Sequence, residues 1–297
     1  MGIPSFFSYI IKNYPTIIKR MNNHTLAINN LYLDSNSIIY DSMRTIKYDK
    51  DQFETMLIQS ICKKIDEYIS IIKPTKTIII AFDGVAPVAK LEQQRNRRYK
   101  SYFTKQIVNS ISNEEQNQWD QTAITPGTNF MNKLGQHISS YYNTNKGRYE
   151  AENIIVSTSN DIGEGEHKIF QFIRDHPKKH KKETSVIYGL DADLIMLCLN
   201  HLHISSKIYL YRETPEFIKS IDARLIPNEH YILDIPLLSI GIIHEMGSSN
   251  KTDVFLMFDY IFLCFFLGND FMPHFPSMNI RTKGINILIN AYKATMK

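Results

Sequence analysis

Short runs rich in β-branched and aliphatic residues recur along the 297-residue chain at 30–33, 77–82, 154–157, 185–188, 207–211 and, less sharply, 231–235. Each predicts a strand. Between them lie longer stretches with apolar residues at helical spacing: 53–72, 85–102, 114–142, 166–174, 193–200, 237–246 and 253–267. Strands alternating with helices of this length predict an α/β fold, with a mostly parallel central sheet flanked by helices on both faces. No internal repeat or low-complexity segment interrupts the pattern. The segment 176–182, HPKKHKK, predicts a basic, solvated connection.

The strand pattern carries a chemical signature at its ends. The run 30–33 is followed by Asp34, the run 77–82 by Asp83, and the run from 185 by Asp191 and Asp193. The run 154–157 leads through a short loop into Gly163-Glu164-Gly165-Glu166. Ligands of open α/β sheets bind beyond the carboxyl ends of parallel strands, so these acids are expected to converge on one crevice. Taken singly, each has a structural explanation. Asp83-Gly84 is a turn dipeptide, Asp34 a turn or cap residue, and the others are favourable charges at helix starts. Repeated at successive strand ends, they point to a metal site. Crowded carboxylates repel one another and resist ionisation; hard cations such as Mg²⁺ or Mn²⁺ remove that cost. Two such ions about 4 Å apart can activate a water and stabilise the leaving oxygen in phosphodiester hydrolysis.

The helix predicted after Asp83 is basic. Lys90, Gln94 and Arg97 or Arg98 share one face, and arginine forks hold phosphate bidentately while lysine adds a point charge. A phosphate held there would set the scissile bond at a fixed distance from the acids; the plainer alternative is a solvated helix face. Tyr40, shortly after Asp34, is expected either to stack on a base or to be buried. His201 and His203 are expected at the surface, and Trp119 as a packing anchor beside the site. His167 and His274 either orient carboxylates or substrate or simply pack.

Composition changes this picture little. Hydrophobic residues make up 43% of the chain and the formal net charge is +4, too mild to announce a nucleic-acid partner by itself. Positive charge is instead concentrated between Lys90 and Lys105. The apolar stretch 254–267 contains Asp259 and predicts a buried helix rather than a membrane span. Cys62, Cys198 and Cys264 are far apart in apolar surroundings, as expected of buried free thiols in a reducing compartment. The start, Met1-Gly2-Ile3-Pro4-Ser5-Phe6, matches neither a secretory leader nor a myristoylation signal, so the cytoplasm or nucleus is expected. Abundant Asn, Ile, Lys and Tyr fit AT-rich coding, as in a virus or protist.

The motifs together resemble the Xrn-type 5′→3′ exoribonucleases, members of the wider group that includes flap endonucleases. The matching stretches are MGIPSFF at 1–7, LYLDSN at 31–36, AFDGVAP at 81–87, KLEQQRNRR at 90–98 and ITPGT at 124–128. GEGEHK at 163–168, YGLDAD at 188–193 and LGNDFMPH at 267–274 complete the series in family order. The resemblance implies a flap-nuclease-like (PIN-type) fold in one nuclease domain across 1–297, with the acidic strand ends between 30 and 193 and a helical part at 237–297. It implies a metal set of Asp34, Asp83, Glu164, Glu166, Asp191, Asp193 and Asp270, the last of which follows a helix rather than a strand. It further implies that Lys90, Gln94, Arg97 and Arg98 recognise a 5′-monophosphate on single-stranded RNA, degraded processively to mononucleotides, with Tyr40 where the family usually has His. In eukaryotic relatives a second conserved region follows the last acidic motif, walling the site and supplying a stacking aromatic. A polypeptide supplying such a region, or a decapping factor, is therefore an expected partner.

Two other readings compete. A flap endonuclease or DNA 5′-exonuclease would share the carboxylate chemistry, but its Gly-rich duplex-gripping helical motif is not visible here, where Gly284 is the sole glycine after Gly268. A non-catalytic RNA-binding scaffold would be expected to lose acids, and this chain keeps every one.

Overall fold

The computed structural model describes residues 2–21, 26–112, 119–214, 219, 222–227, 229–250 and 253–296. Its strands are β1 (Ile18–Arg20), β2 (Asn30–Asp34), β3 (Thr77–Ala81), β4 (Asn153–Ser157), β5 (Ser185–Tyr188), β6 (Ile208–Glu213) and β7 (His230–Asp234). They form one mixed sheet in the order β1-β7-β6-β5-β2-β3-β4. β3 runs parallel to β4 and β5 to β6, whereas β7 and the short edge strand β1 are antiparallel additions. β3 and β5 are buried along their whole length, and β2 along all but its final Asp34. Such continuous burial is what a helix-flanked sheet demands of Ile-rich strands.

Two compact units divide the chain, residues 33–169 and residues 1–32 with 170–297. In the first, helix α2 (Asn36–Thr45) follows β2 directly, and α3 (Phe53–Ile72) buries Leu57, Ile61, Ile65, Tyr68 and Ile72 at helical spacing. The basic helix α4 spans Val88–Ser112, starting after Pro87, three residues later than predicted and ending ten residues further on. The helix predicted over 114–142 is α5, Asn129–Thr144. Its predicted beginning, 114–118, lies outside the described residues, and Pro126-Gly127 defers the start until Thr128 caps the Met131 amide. Trp119 packs on Phe53 and Phe130, ring centroids 5.4 and 4.8 Å away, as an anchor should.

The other unit holds α1 (Phe6–Asn13), α6 (Gly165–Asp175, most of whose length lies here), α7 (Pro177–His180), α8 (Asp193–His201), α9 (Ile235–Glu245), α10 (Val254–Phe265) and α11 (Gly284–Thr295). The expected basic connection 176–182 is solvated at His176, Pro177, Lys178, Lys181 and Lys182, but it contains the short helix α7 and buries His180. The His180 ring nitrogens meet the Tyr32 hydroxyl at 2.7 Å and the His176 carbonyl at 2.8 Å. His201 is likewise not a surface residue: it is buried on Phe170 with its Nδ1 on the Leu197 carbonyl and its Nε2 3.0 Å from Arg174. Burial lowers the pKa of both histidines and keeps them neutral. His203 is exposed, as expected. α10 was expected to be buried, yet only one face is: Met257, Tyr260, Ile261 and Cys264 point inward while Phe255 and Phe262 remain 81% and 62% exposed. The three cysteines are free and buried. Among the described residues no helix is long and apolar enough to cross a membrane.

Candidate metal centre and phosphate grip

In the unit 33–169 the site is built on three strand ends. β3 and β4 finish level, Ala81 opposite Ser157, and the Ser35 amide donates to the Ala81 carbonyl at 2.9 Å. Asp34, Asp83 and the Glu164–Glu166 segment therefore emerge side by side. The loops that carry them are laced together: Gly84 N donates to Gly163 O (2.8 Å) and Gly163 N to Val85 O (3.0 Å). Lys168 binds the Phe82 and Thr158 carbonyls at 2.7 Å each, and its burial lowers the ammonium pKa.

Asp83 is the most constrained of these acids. One carboxylate oxygen accepts from the Gly165 amide at 2.7 Å, the other from the Asn36 amide group at 2.6 Å, while Asn36 Oδ1 accepts from Asp83 N at 3.0 Å. Burial pushes its pKa up, the Gly165 amide pulls it down, Glu164 raises it again, and Lys90 and Lys168 oppose that. An ionised carboxylate here is thus held against a desolvation cost. Glu164 is buried, and Lys90 Nζ lies 2.9 Å from each of its oxygens. Glu164, Glu166 and His167 bring ligand atoms within 4.8 Å of one another. A Cβ added to Gly165 would fall 2.5 Å from Asp34 Oδ1 and 3.1 Å from the Ala81 carbonyl oxygen. Only a residue without a side chain leaves the Asp34 carboxylate uncovered.

The other unit repeats the device. Asp191 is exposed and Asp193, which opens α8, is half-buried. Gly2, at φ +55°, presses on Asp193: a Cβ there would lie 1.8 Å from Asp193 Oδ1. The same Gly2 donates its amide to Asp270 Oδ1 at 3.1 Å, so one N-terminal glycine joins the Asp193 and Asp270 carboxylates. Arg212 of β6 stands behind this group. It donates to the Leu190 carbonyl at 2.9 Å, and its guanidinium lies 3.8 Å from the centroid of the Phe7 ring. Burial brings its pKa down to about 10 against the upward pull of Asp191 and Tyr188, and its Nε and Nη1 have no hydrogen-bond partner among the described residues.

The candidate phosphate-grip residues sit on α4. Lys90 is turned onto Glu164, Gln94 is half-buried, and Arg97 and Arg98 are exposed. Tyr40, on α2, is 36% exposed, between the two expectations. Burial raises its hydroxyl pKa, with Arg97 and Arg98 pulling it down and Asp83 pushing it up, so its hydroxyl lies in the field of both the basic face and the acids.

Residues 1–214 match the family model described as XRN 5′-3′ exonuclease N-terminus. The chain belongs to this family. Residues 254–297 match the model of the Xrn1 helical domain. This XRN-family chain is similar over its whole length to curated relatives, among them 5′-3′ exoribonuclease 1 of Saccharomyces cerevisiae, 33% identical over 100% of this chain and 21% of the relative. 5′-3′ exoribonuclease 1 of Schizosaccharomyces pombe is 32% identical over 100% and 24%, and 5′-3′ exoribonuclease 2 of Arabidopsis thaliana is 31% identical over 99% and 36%. The chain thus spans between 21% and 38% of the length of the curated relatives it matches. Its fold resembles the catalytic core of Rad2 solved with a DNA substrate, at TM-score 0.52 and 15% identity, covering 97% of this chain and 68% of that one.

Several residues that build the XRN-family site carried no assigned role in the sequence. Asn36, Gly165 and Lys168 stand inside recognised motifs, but only the fold shows that they hold Asp83, clear Asp34 and tie the loops. Arg212 did have a signal: with Ile208 and Leu210 it occupies the alternating inward face of β6, where an arginine must be buried. We expect Arg212→Met to keep the packing volume but remove the donor to the half-buried Leu190 carbonyl, costing about 1 kcal/mol. Urea denaturation checks this, and an unchanged midpoint would show that the contact is not structural.

Proposed function

We propose that this chain is the catalytic part of a divalent-metal-dependent 5′→3′ exoribonuclease, hydrolysing single-stranded RNA with a 5′-monophosphate to mononucleotides. The observation that carries this reading is the pair of glycine-cleared carboxylate groups in an XRN-family chain. An all-oxygen donor set with its Cβ space left open at Gly165 and Gly2 fits hard cations such as Mg²⁺ or Mn²⁺. Asp34, Asp83, Glu164, Glu166, Asp191, Asp193 and Asp270 would hold them, as two ions. When bound, the ions supply positive charge that favours ionisation of the attacking water and stabilises the departing oxygen.

The chain's own residues supply the rest. Asn36 and the Gly165 amide fix the orientation of the Asp83 carboxylate, and Lys90 neutralises Glu164. Gln94, Arg97 and Arg98, with the Lys90 charge behind them, take the terminal phosphate, and Tyr40 stacks on the first base. Holding the 5′-phosphate at a fixed place makes each cut release one nucleotide. The direct test is incubation with Mg²⁺ and 5′-monophosphate, 5′-hydroxyl or 5′-triphosphate single strands of RNA and DNA. Mononucleotides should appear fastest from monophosphate RNA; their absence would sink the proposal, and faster release from DNA would favour a DNA 5′-exonuclease.

Arg98 and Lys90 separate grip from scaffold. Arg98→Ala should erase most of the preference for monophosphate over hydroxyl ends while leaving the melting temperature unchanged, because Arg98 is exposed. Lys90→Ala should also destabilise the fold, by about 3 kcal/mol, since it strands a buried Glu164. Comparing end preference and thermal melting for the two variants checks both statements, and identical behaviour would contradict the division.

A further inference from the structure

His167 stands beside two of the acids without hydrogen-bonding to either. It follows Glu164 by one helical turn. The Lys168 amide donates to the Glu164 carbonyl at 3.1 Å, which carries the geometry of α6 back to that residue, so Glu164 and His167 share a face. The ring turns Nδ1 toward both carboxylates, 3.6 Å from Glu164 Oε2 and 3.8 Å from Glu166 Oε1. Both separations are too long for a hydrogen bond. They are the right size for donors gathered around one ion. With bonds of about 2.1 Å, neighbouring ligand atoms of an octahedral ion lie about 3.0 Å apart and opposite ones about 4.2 Å. Here the three ligand atoms lie within 4.8 Å of one another, so small side-chain rotations close the set. Lys90 holds both Glu164 oxygens at 2.9 Å and fixes that carboxylate, while the His167 side chain, 45% exposed, has room to turn. All three donors come from the segment 164–167, so the position is complete within the unit 33–169.

We infer that His167 is a nitrogen ligand at the metal position formed by Glu164 and Glu166, and that it biases this position toward a transition metal such as Mn²⁺ over Mg²⁺. The chemistry of the donor gives the direction. Carboxylates serve Mg²⁺ and Mn²⁺ alike, whereas imidazole favours first-row transition metals and adds little for Mg²⁺. In the neutral tautomer that carries its proton on Nε2, Nδ1 presents the lone pair the bond requires. A residue that merely oriented the carboxylates would have to donate a hydrogen bond to one of them, and the Nδ1 distances do not allow it. The other acids of the proposed set offer oxygen alone, so the discrimination is confined to this position. The inference rests on the metal-dependent nuclease reading and adds one nitrogen to its oxygen donors.

The test is electron spin-echo envelope modulation of Mn²⁺ bound to the untagged protein, alongside calorimetric titration with Mn²⁺ and with Mg²⁺. Wild type should show the nitrogen modulation of a directly bound imidazole. His167→Asn should lose it, with an unchanged melting temperature in EDTA because the side chain is half exposed. Asparagine keeps a donor close to the place of Nδ1 but ligates metals through oxygen. Mn²⁺ affinity should fall about tenfold or more in the variant, and Mg²⁺ affinity by less than about threefold. Wild type without nitrogen modulation, or a variant that keeps it, overturns the inference. Equal effects of the substitution on the two metals overturn it as well, and leave His167 a packing residue. Failure of the nuclease reading is separate: it appears as no mononucleotide release from 5′-monophosphate RNA in either metal, whatever the modulation shows.

Discussion

Asp83→Asn should abolish hydrolysis, lowering turnover by about 10³-fold or more, while the protein still melts close to the wild-type temperature in EDTA. The two halves of this expectation have one cause. Burial and the neighbouring Glu164 make the ionised Asp83 costly in the metal-free protein, so an uncharged isostere relieves the fold while removing an anionic ligand. The Gly165 amide can still donate to an asparagine oxygen, but the new amide nitrogen then faces the Asn36 amide group that donated to the carboxylate, and that lost hydrogen bond offsets the relief. Metal titration supplies the discriminating measurement. A ligand that binds only the folded state stabilises it by about 2.7 kcal/mol at a hundredfold excess over Kd, so Mn²⁺ should raise the melting temperature of wild type and not that of the variant. A variant that retains both hydrolysis and the Mn²⁺ shift would remove Asp83 from the metal set.

Gly165→Ala should be harmful in a place where glycine-to-alanine exchange ordinarily helps. Gly165 opens α6, and alanine in a helix is favoured by about 1 kcal/mol over glycine. Here the new methyl would enter at 2.5 Å from Asp34 Oδ1 and 3.1 Å from the Ala81 carbonyl. The backbone carbonyl cannot yield, so Asp34 must rotate away, at a strain of about 1–3 kcal/mol. Displacing a ligating carboxylate should cost about 10- to 100-fold in metal affinity and activity. Gly2→Ala should fail similarly at Asp193, with the added penalty of a left-handed φ, about 1–2 kcal/mol for a residue with a Cβ. Steady-state kinetics across a Mn²⁺ series checks both, and a Gly165→Ala enzyme with unaltered metal dependence would refute the clearance argument.

The acids at strand ends were readable because two rules coincide there: a run of aliphatic or β-branched residues marks the strand, and a charged residue marks where burial stops. Asp34 and Asp83 obey both. Asp270 obeys neither, since it follows α10 and a turn, and only the motif resemblance pointed to it. The helix over 53–72 matched residue for residue because its apolar spacing is unbroken, whereas the one over 114–142 ran through Pro126-Gly127, a stop signal stronger than the periodicity on either side. α1, α2 and β1 are too short for periodicity to register. His180 and His201 defeated the sequence for another reason: a histidine looks solvated until a partner distant in sequence, Tyr32 or Arg174, meets one ring nitrogen while a carbonyl four residues earlier takes the other. Lys90 was legible as a cation but not as the partner of Glu164, 74 positions away.

The contact between Gly2 and two carboxylates bears on how the protein is handled at the bench. An affinity tag or fusion domain joined ahead of Gly2 would place its tether one residue from Asp193 and Asp270, where bulk could hinder catalysis and a histidine tract could capture the very cations under study. Material made that way risks appearing inert for reasons unrelated to its chemistry. Carboxy-terminal tagging, or cleavage that leaves no added residues ahead of Met1-Gly2, is the sound preparation for every assay above.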